Sequence, residues 1–330
     1  MGYNVLMALP PRPRRLGRFD IVAKIAGGGF STIYLARAGD QVAALKVVRH
    51  DFARDTHAID MFLDEARVLS HLDHPNVIRT IEFGSEQDQH YIATELLIGH
   101  TLLQVWEACV AKKLSLRWDV AAWIAARVAE GLAHAHELAD EHGKPLGLIH
   151  RDVNPSNIFL TYDGGVKLFD FGLAKAAGRR HQTSAGIVKG KLSYLAPEQV
   201  LELPLDRRAD IFTLGTTLWE MTTMRRLFAR DDDVETVMAV RTGPIPDPRS
   251  LVPGYPDELA RIVKKALERH REHRYPNGTE LAGDLDAFLA RSGASEAPSL
   301  IPQLLAALFP GERARQNGWL RRSIIPPPMR

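Results

Sequence analysis

His150-Arg151-Asp152 with Asn157 close behind, then Asp170-Phe171-Gly172, then Ala196-Pro197-Glu198, constrain this chain more than any other feature of its sequence. Any one of these strings arises by chance, but three in one order do not. Their residue types suit phosphoryl transfer. Asp152 can accept a proton from an incoming hydroxyl, while Asn157 and Asp170 offer the hard oxygen ligands that Mg²⁺ takes. In such chemistry a protein contributes position and charge.

The rest of the chain supplies elements to hold these residues. Ile21 to Val48 reads as two apolar strand-like runs flanking Gly27-Gly28-Gly29. Glycine at such a turn lets backbone N–H groups approach phosphates without a Cβ in the way. Phe62, Leu63, Ala66 and Leu69 recur at helical spacing around Asp64 and Glu65. His74-Pro75 ends that helix, because proline stops helical propagation and pushes its predecessor toward extended geometry. Tyr91 to Ile98 is an apolar strand running into Gly99. From Trp118 to Glu141 the pattern predicts one long amphipathic helix with Ala121, Ile124, Val128, Leu132 and Ala135 on its buried face. His134 and His136 lie two apart on it, point in different directions and cannot chelate one metal from one face.

Together these motifs resemble the eukaryotic-type Ser/Thr protein kinases, in a form closer to bacterial members. The resemblance implies an α+β, two-lobed fold. Its N-lobe, residues 18–97, would be mainly antiparallel sheet with one key helix; its C-lobe, 98–291, would be mainly helical, with ATP between them. A Pro/Arg-rich arm, 1–17, precedes them, and a linker with a short helical tail, 292–330, follows. The implied activity is ATP-dependent transfer of the γ-phosphoryl group to Ser or Thr hydroxyls of protein substrates, with Mg²⁺. Tyrosine stays open as an acceptor.

The resemblance also implies a site. Lys46 in Ala44-Leu45-Lys46 would hold the α- and β-phosphates and pair with Glu65; Asp64 is the neighbouring competitor, but the residue before Ala66 is the matching one. Ala44 would roof the adenine, Phe159 would floor it, and Ile25 and Ile33 would form the rim. Gly28 falls at the central glycine of the phosphate loop. Backbone groups of Glu95 and Leu97 would bind adenine, and Thr94 would gate the pocket behind it. Asp152 is the implied base, and Asn157 and Asp170 the implied Mg²⁺ ligands. Glu198 with Arg274 matches a structural ion pair, and Asp210 a buried anchor for the catalytic-loop backbone.

Several positions depart from the family pattern. Ala26 and Ser31 replace the first and third glycines of the loop. Asn154 stands where the family has a lysine that neutralises charge on the transferred group. Lys191, where the family commonly has threonine, is a candidate replacement for that charge; the alternative is an exposed loop lysine. Thr183 and Ser184 are candidate phosphorylation sites whose phosphate could pair with Arg151. These departures motivate a rival reading, a catalytically weak pseudokinase serving as a nucleotide-binding interaction module. A small-molecule phosphotransferase is a second rival, disfavoured by the long activation segment and Ala196-Pro197-Glu198.

Composition narrows the remaining classes. With 330 residues, 45% hydrophobic and 25% charged, the chain can bury one or two cores. A net charge of +2 with no basic face makes no case for nucleic acid. The single cysteine, Cys109, cannot form an internal disulfide, reads as core filling and fits a reducing cytoplasm. No apolar run approaches the roughly 20 residues a membrane span needs, and Met1 to Leu16 lacks a signal-peptide pattern. The expectation is a cytoplasmic protein. The arm at Pro10 to Arg15 is expected to be solvated or to dock a partner, and the short helix at Leu300 to Phe309 to pack back on the domain or bind a partner. Nothing in the sequence indicates an oligomeric state.

Overall fold

A computed structural model describes residues 15–27, 31–52, 55–86, 88–171, 191–294 and 296–321. Gly28, Thr183, Ser184 and most of the Pro/Arg-rich arm lie outside the described residues. The described chain divides into two compact units.

The first unit is built on strands β1 (Arg15–Leu16), β2 (Phe19–Gly27), β3 (Ser31–Ala38) and β4 (Gln41–Val48), helix α1 (Thr56–Ser70), and strands β5 (Thr80–Glu86) and β6 (Gln89–Glu95). Six strands form one antiparallel sheet in the order β1-β2-β3-β4-β6-β5. Strand alternation sorts β4 cleanly. Ala43, Leu45 and Val47 face one side, where they bury with Phe19, Ile21, Ala36, Tyr91 and Ala93. Ala44 and Lys46 face the other. The register sets Lys46 opposite Ile33 and Ile92, and Ala44 opposite Leu35 and Thr94. Val48 and Ile92 pack with Phe62 and Ala66 of α1 in a second cluster, so the helix lies over the sheet through the apolar stripe read from its spacing.

The second unit holds β7 (Gly99–Thr101), α2 (Leu102–Ala111), α3 (Trp118–His136), β8 (Ile158–Thr161), β9 (Val166–Leu168), α4 (Pro197–Val200), α5 (Arg208–Thr223), α6 (Asp233–Thr242), α7 (Pro248–Leu251), α8 (Asp257–Ala266), α9 (Gly278–Arg291) and α10 (Ala297–Leu308). It is mainly helical with one small sheet, β7-β8-β9. Its axis is α3, whose Ala121, Ile124, Val128, Leu132 and Ala135 are all buried. The helix ends at His136 rather than near Glu141. Asp140 explains the stop: its side chain accepts from the backbone N–H of His142 and Lys144 at 2.9 Å each, a turn that competes with helix. A Cβ on Gly278 would run into the Ala129 carbonyl, so glycine there is what lets α9 begin against α3.

The short helix expected at Leu300 to Phe309 is present and packs on the second unit. α9 ends at Arg291 and α10 starts at Ala297, burying Ile301, Leu305 and Leu308 in the second unit. A further helix, α11 (Glu312–Arg321), is grouped with the first unit, where Arg37 donates to the Leu320 carbonyl. The sequence reading had no second tail helix. Among the described residues, no helix is long and apolar enough to cross a membrane.

Candidate active site

In the first unit the decisive contact is Lys46 Nζ to Glu65 Oε1 at 2.8 Å, with side chains only 17% and 9% exposed. Asp64 is turned outward and pairs with Arg67 at 2.9 Å instead. One position along a helix rotates a side chain by about 100°, which is why two adjacent acids have unrelated partners. Ala44, Ile25 and Ile33 are half-buried on this sheet. The Thr94 hydroxyl donates to the Ala44 carbonyl at 3.5 Å. Glu95 donates its N–H to Arg79 O at 3.0 Å and accepts from Arg79 N–H at 2.8 Å, which fixes the strand end before Leu97.

In the second unit the catalytic-loop residues are tied to one buried carboxylate. Asp210 accepts from the backbone N–H of His150 and of Arg151, both at 2.8 Å, and its Oδ2 lies 2.8 Å from His136 Nε2. Burial by itself would raise the Asp210 pKa, but the bond to His136, the charge around it and the His150 N–H together hold it below the usual carboxylate range. Burial pushes the His150 imidazole down, and its Nε2 lies 3.2 Å from the Phe169 carbonyl. Arg151 and Asp170 take left-handed φ angles of 64° and 55°. Non-glycine residues in that region mark strain that the surroundings must hold.

Asp152 is held by its neighbours. Asn157 Nδ2 donates to Asp152 O at 2.8 Å and to Asp152 Oδ2 at 3.2 Å. With its nitrogen so committed, the Asn157 amide is left with its oxygen as a hard donor, and an amide oxygen together with a carboxylate such as that of Asp170 is a donor chemistry that fits a divalent ion. Asn154 is buried and braces the loop: its Oδ1 accepts from Ser156 N–H and its Nδ2 donates to Asp152 O, both at 2.8 Å. Lys191 Nζ lies 3.4 Å from Asp152 Oδ2. Phe159 sits on β8 opposite Thr101.

Lys191 opens a short 3-10 turn, Lys191–Tyr194, whose support no sequence pattern announced. Tyr194 OH donates to Glu220 Oε2 at 2.6 Å, Arg226 pairs with the same oxygen at 2.9 Å and also reaches Tyr194 OH, and Leu227 N–H donates to Glu220 Oε1 at 3.0 Å. Gln199 Nε2 donates to Arg151 O at 3.0 Å, joining the Ala196-Pro197-Glu198 segment to the catalytic loop. Glu198 itself receives a bidentate pair from Arg274 at 2.6 and 2.8 Å in a fully buried setting.

Residues 19–281 match the model of the protein kinase domain. The chain belongs to the protein kinase family. The family uses ATP and a divalent metal. Among protein kinases the chain is 37% identical to the tyrosine-protein kinase MasK of Myxococcus xanthus over 96% of this chain and 49% of that protein. It is 31% identical to the serine/threonine-protein kinase PrkC of Bacillus subtilis, over 82% of this chain and 40% of that one. It thus spans about half or less of the length of these relatives. Among solved structures, the PknI kinase domain of Mycobacterium tuberculosis superposes with a TM-score of 0.62 over 83% of this chain and 97% of that domain, at 23% identity, which speaks to the fold alone.

Proposed function

We propose that the chain is an ATP-dependent protein kinase that transfers the γ-phosphoryl group to Ser or Thr hydroxyls of protein substrates. The observation that carries this is the seating of Asp152: its carboxylate lies within reach of Asn157 Nδ2 and Lys191 Nζ, on a loop anchored from behind by Asp210. The acceptor oxygen bonds to the γ-phosphorus, the bond to the β–γ bridging oxygen breaks, ADP leaves, and the hydroxyl proton passes to Asp152. Lys46, held by Glu65, binds the α- and β-phosphates. The family pattern assigns adenine contacts to Ile25, Ile33, Ala44 and Phe159 and to backbone groups of Glu95 and Leu97, and a phosphate-loop role to Gly28. Asn157 and Asp170 would hold Mg²⁺, which would supply neutralisation of phosphate charge. Lys191 supplies the cation that Asn154 does not, because Asn154 is committed to the loop backbone.

In this reading residues 18–97 work as the N-lobe and 98–291 as the C-lobe, with the arm 1–17 and tail 292–330 as appendages in a cytoplasmic protein. Autophosphorylation at Thr183 or Ser184 is the expected regulation. A second reading, tyrosine as acceptor, is favoured by one observation, the 37% identity to a relative named as a tyrosine kinase.

Labelled ATP with Mg²⁺, a generic protein substrate and an Asp152→Asn control test both readings. Label lost in the control and found on serine or threonine by phosphoamino-acid analysis supports the proposal. Label on tyrosine favours the second reading, and nucleotide binding without transfer favours the pseudokinase.

A further inference from the structure

Helix α10 begins beyond residue 281, where the match to the protein kinase domain ends, yet it is fastened to the second unit along its whole length. At its start, the turn between β8 and β9 comes so close that a Cβ on Gly164, at φ +93°, would lie 2.8 Å from Pro298 O. Along it, Ile301, Leu305 and Leu308 are buried. At its end, Lys112 Nζ, from the C-cap of α2, donates to Ala307 O at 2.9 Å and Leu308 O at 3.0 Å. A cation satisfying the last carbonyls of a helix is favourable to both groups.

The residue after α10 is Phe309, and its ring stacks on His100 with centroids 3.7 Å apart and planes at 15°. His100 is 7% exposed, and its Nε2 lies 3.0 Å from Tyr162 OH. His100 is the middle residue of β7, which is only three residues long. Strands this short in a small sheet have little stability of their own and depend on what packs against them. β7 begins directly after the segment holding Glu95 and Leu97, and it sets His100 opposite Leu160 and Thr101 opposite Phe159.

We infer that Phe309 and His100 form a positioning pair for nucleotide binding. The C-terminal helix presses Phe309 on His100, His100 holds β7 against β8, and β8 thereby presents Phe159. Neither residue touches the nucleotide in this account. The inference rests on the proposed role of Phe159 as the adenine floor, and it makes a segment outside the family domain part of the nucleotide-binding machinery.

The test is ATP affinity, measured as KM and as direct binding of a non-hydrolysable ATP analogue to the full chain. Phe309→Ala should weaken both about tenfold with kcat changed less than about twofold. Phe309→Tyr, which keeps the ring face, should restore them, and Gln303→Ala on the exposed side of the same helix should change neither. His100→Ala should match Phe309→Ala, and the double variant should be no worse than either single one. Hydrogen exchange of the β7 and β8 amides should speed up in Phe309→Ala.

Unchanged analogue binding and unchanged β7–β8 exchange in Phe309→Ala, whatever its thermal stability, would overturn the inference and leave α10 a stabilising element only. Because the readouts are binding and exchange, a wild-type chain that binds the analogue but transfers nothing would sink the kinase reading while leaving the pair open to proof.

Discussion

Lys191 Nζ stands 3.4 Å from Asp152 Oδ2, while Asn154, the residue at the position where the family carries its cation, is turned into the loop to cap Ser156. The positive charge beside Asp152 thus comes from a segment remote in sequence from the loop that carries Asp152. The Lys191 side chain is 40% exposed, so solvent screens part of its effect.

Lys191→Met should therefore lower kcat by about 10- to 100-fold, below the loss seen for the best-buried transition-state donors. Lys189→Met should have little effect. Steady-state assays on the two variants decide the matter, and equal small losses would show Lys191 to be an ordinary loop lysine. Asn154→Lys would then be uninformative about charge, since it also removes the cap.

Glu65→Gln should cost activity, because Lys46 loses its charged partner in a mostly buried setting, whereas Asp64→Asn should be nearly silent. The expected contrast is at least about tenfold in kcat/KM. Comparable losses in both variants would contradict the pairing.

Arg274→Ala leaves Glu198 buried and unpaired, and should destabilise the second unit by about 3–5 kcal/mol. Arg274→Lys should recover little, since a lysine cannot make the bidentate pair. Chemical denaturation of the three proteins provides the comparison.

Acid should destabilise the fold in two stages. Burial depresses the pKa of His150 from an unfolded value of about 6.5. As pH falls below 6.5 the unfolded chain takes up a proton that the folded chain resists, so stability present above that pH is lost down to the folded pKa. Asp210, also depressed in the fold, adds a loss that sets in as pH falls below about 3.9. Denaturation midpoints should drop between pH 7 and 5, and His150→Phe should flatten that slope. A variant with the wild-type slope would rule out His150 as the titrating group.

The candidate site residues were legible in sequence because phosphoryl transfer demands particular side chains at fixed local spacing. Asp152 and Asn157 share one loop, and Lys46 sits on a strand whose period-2 pattern fixes its face. The helix over residues 118–136 was legible for the same local reason, and its end was misplaced because the Asp140 turn competes only once side-chain bonds are counted.

What the chain's order alone determined is the set of chemical groups, the elements that carry them and the apolar faces that bury. Only the tertiary structure decided which other distant side chains meet, as with Glu220 under Tyr194 and Phe309 on His100. Periodicity is a property of neighbours along the chain. Pairing across dozens of residues is fixed by packing, where burying one polar or aromatic group is favourable only if a distant segment supplies its partner.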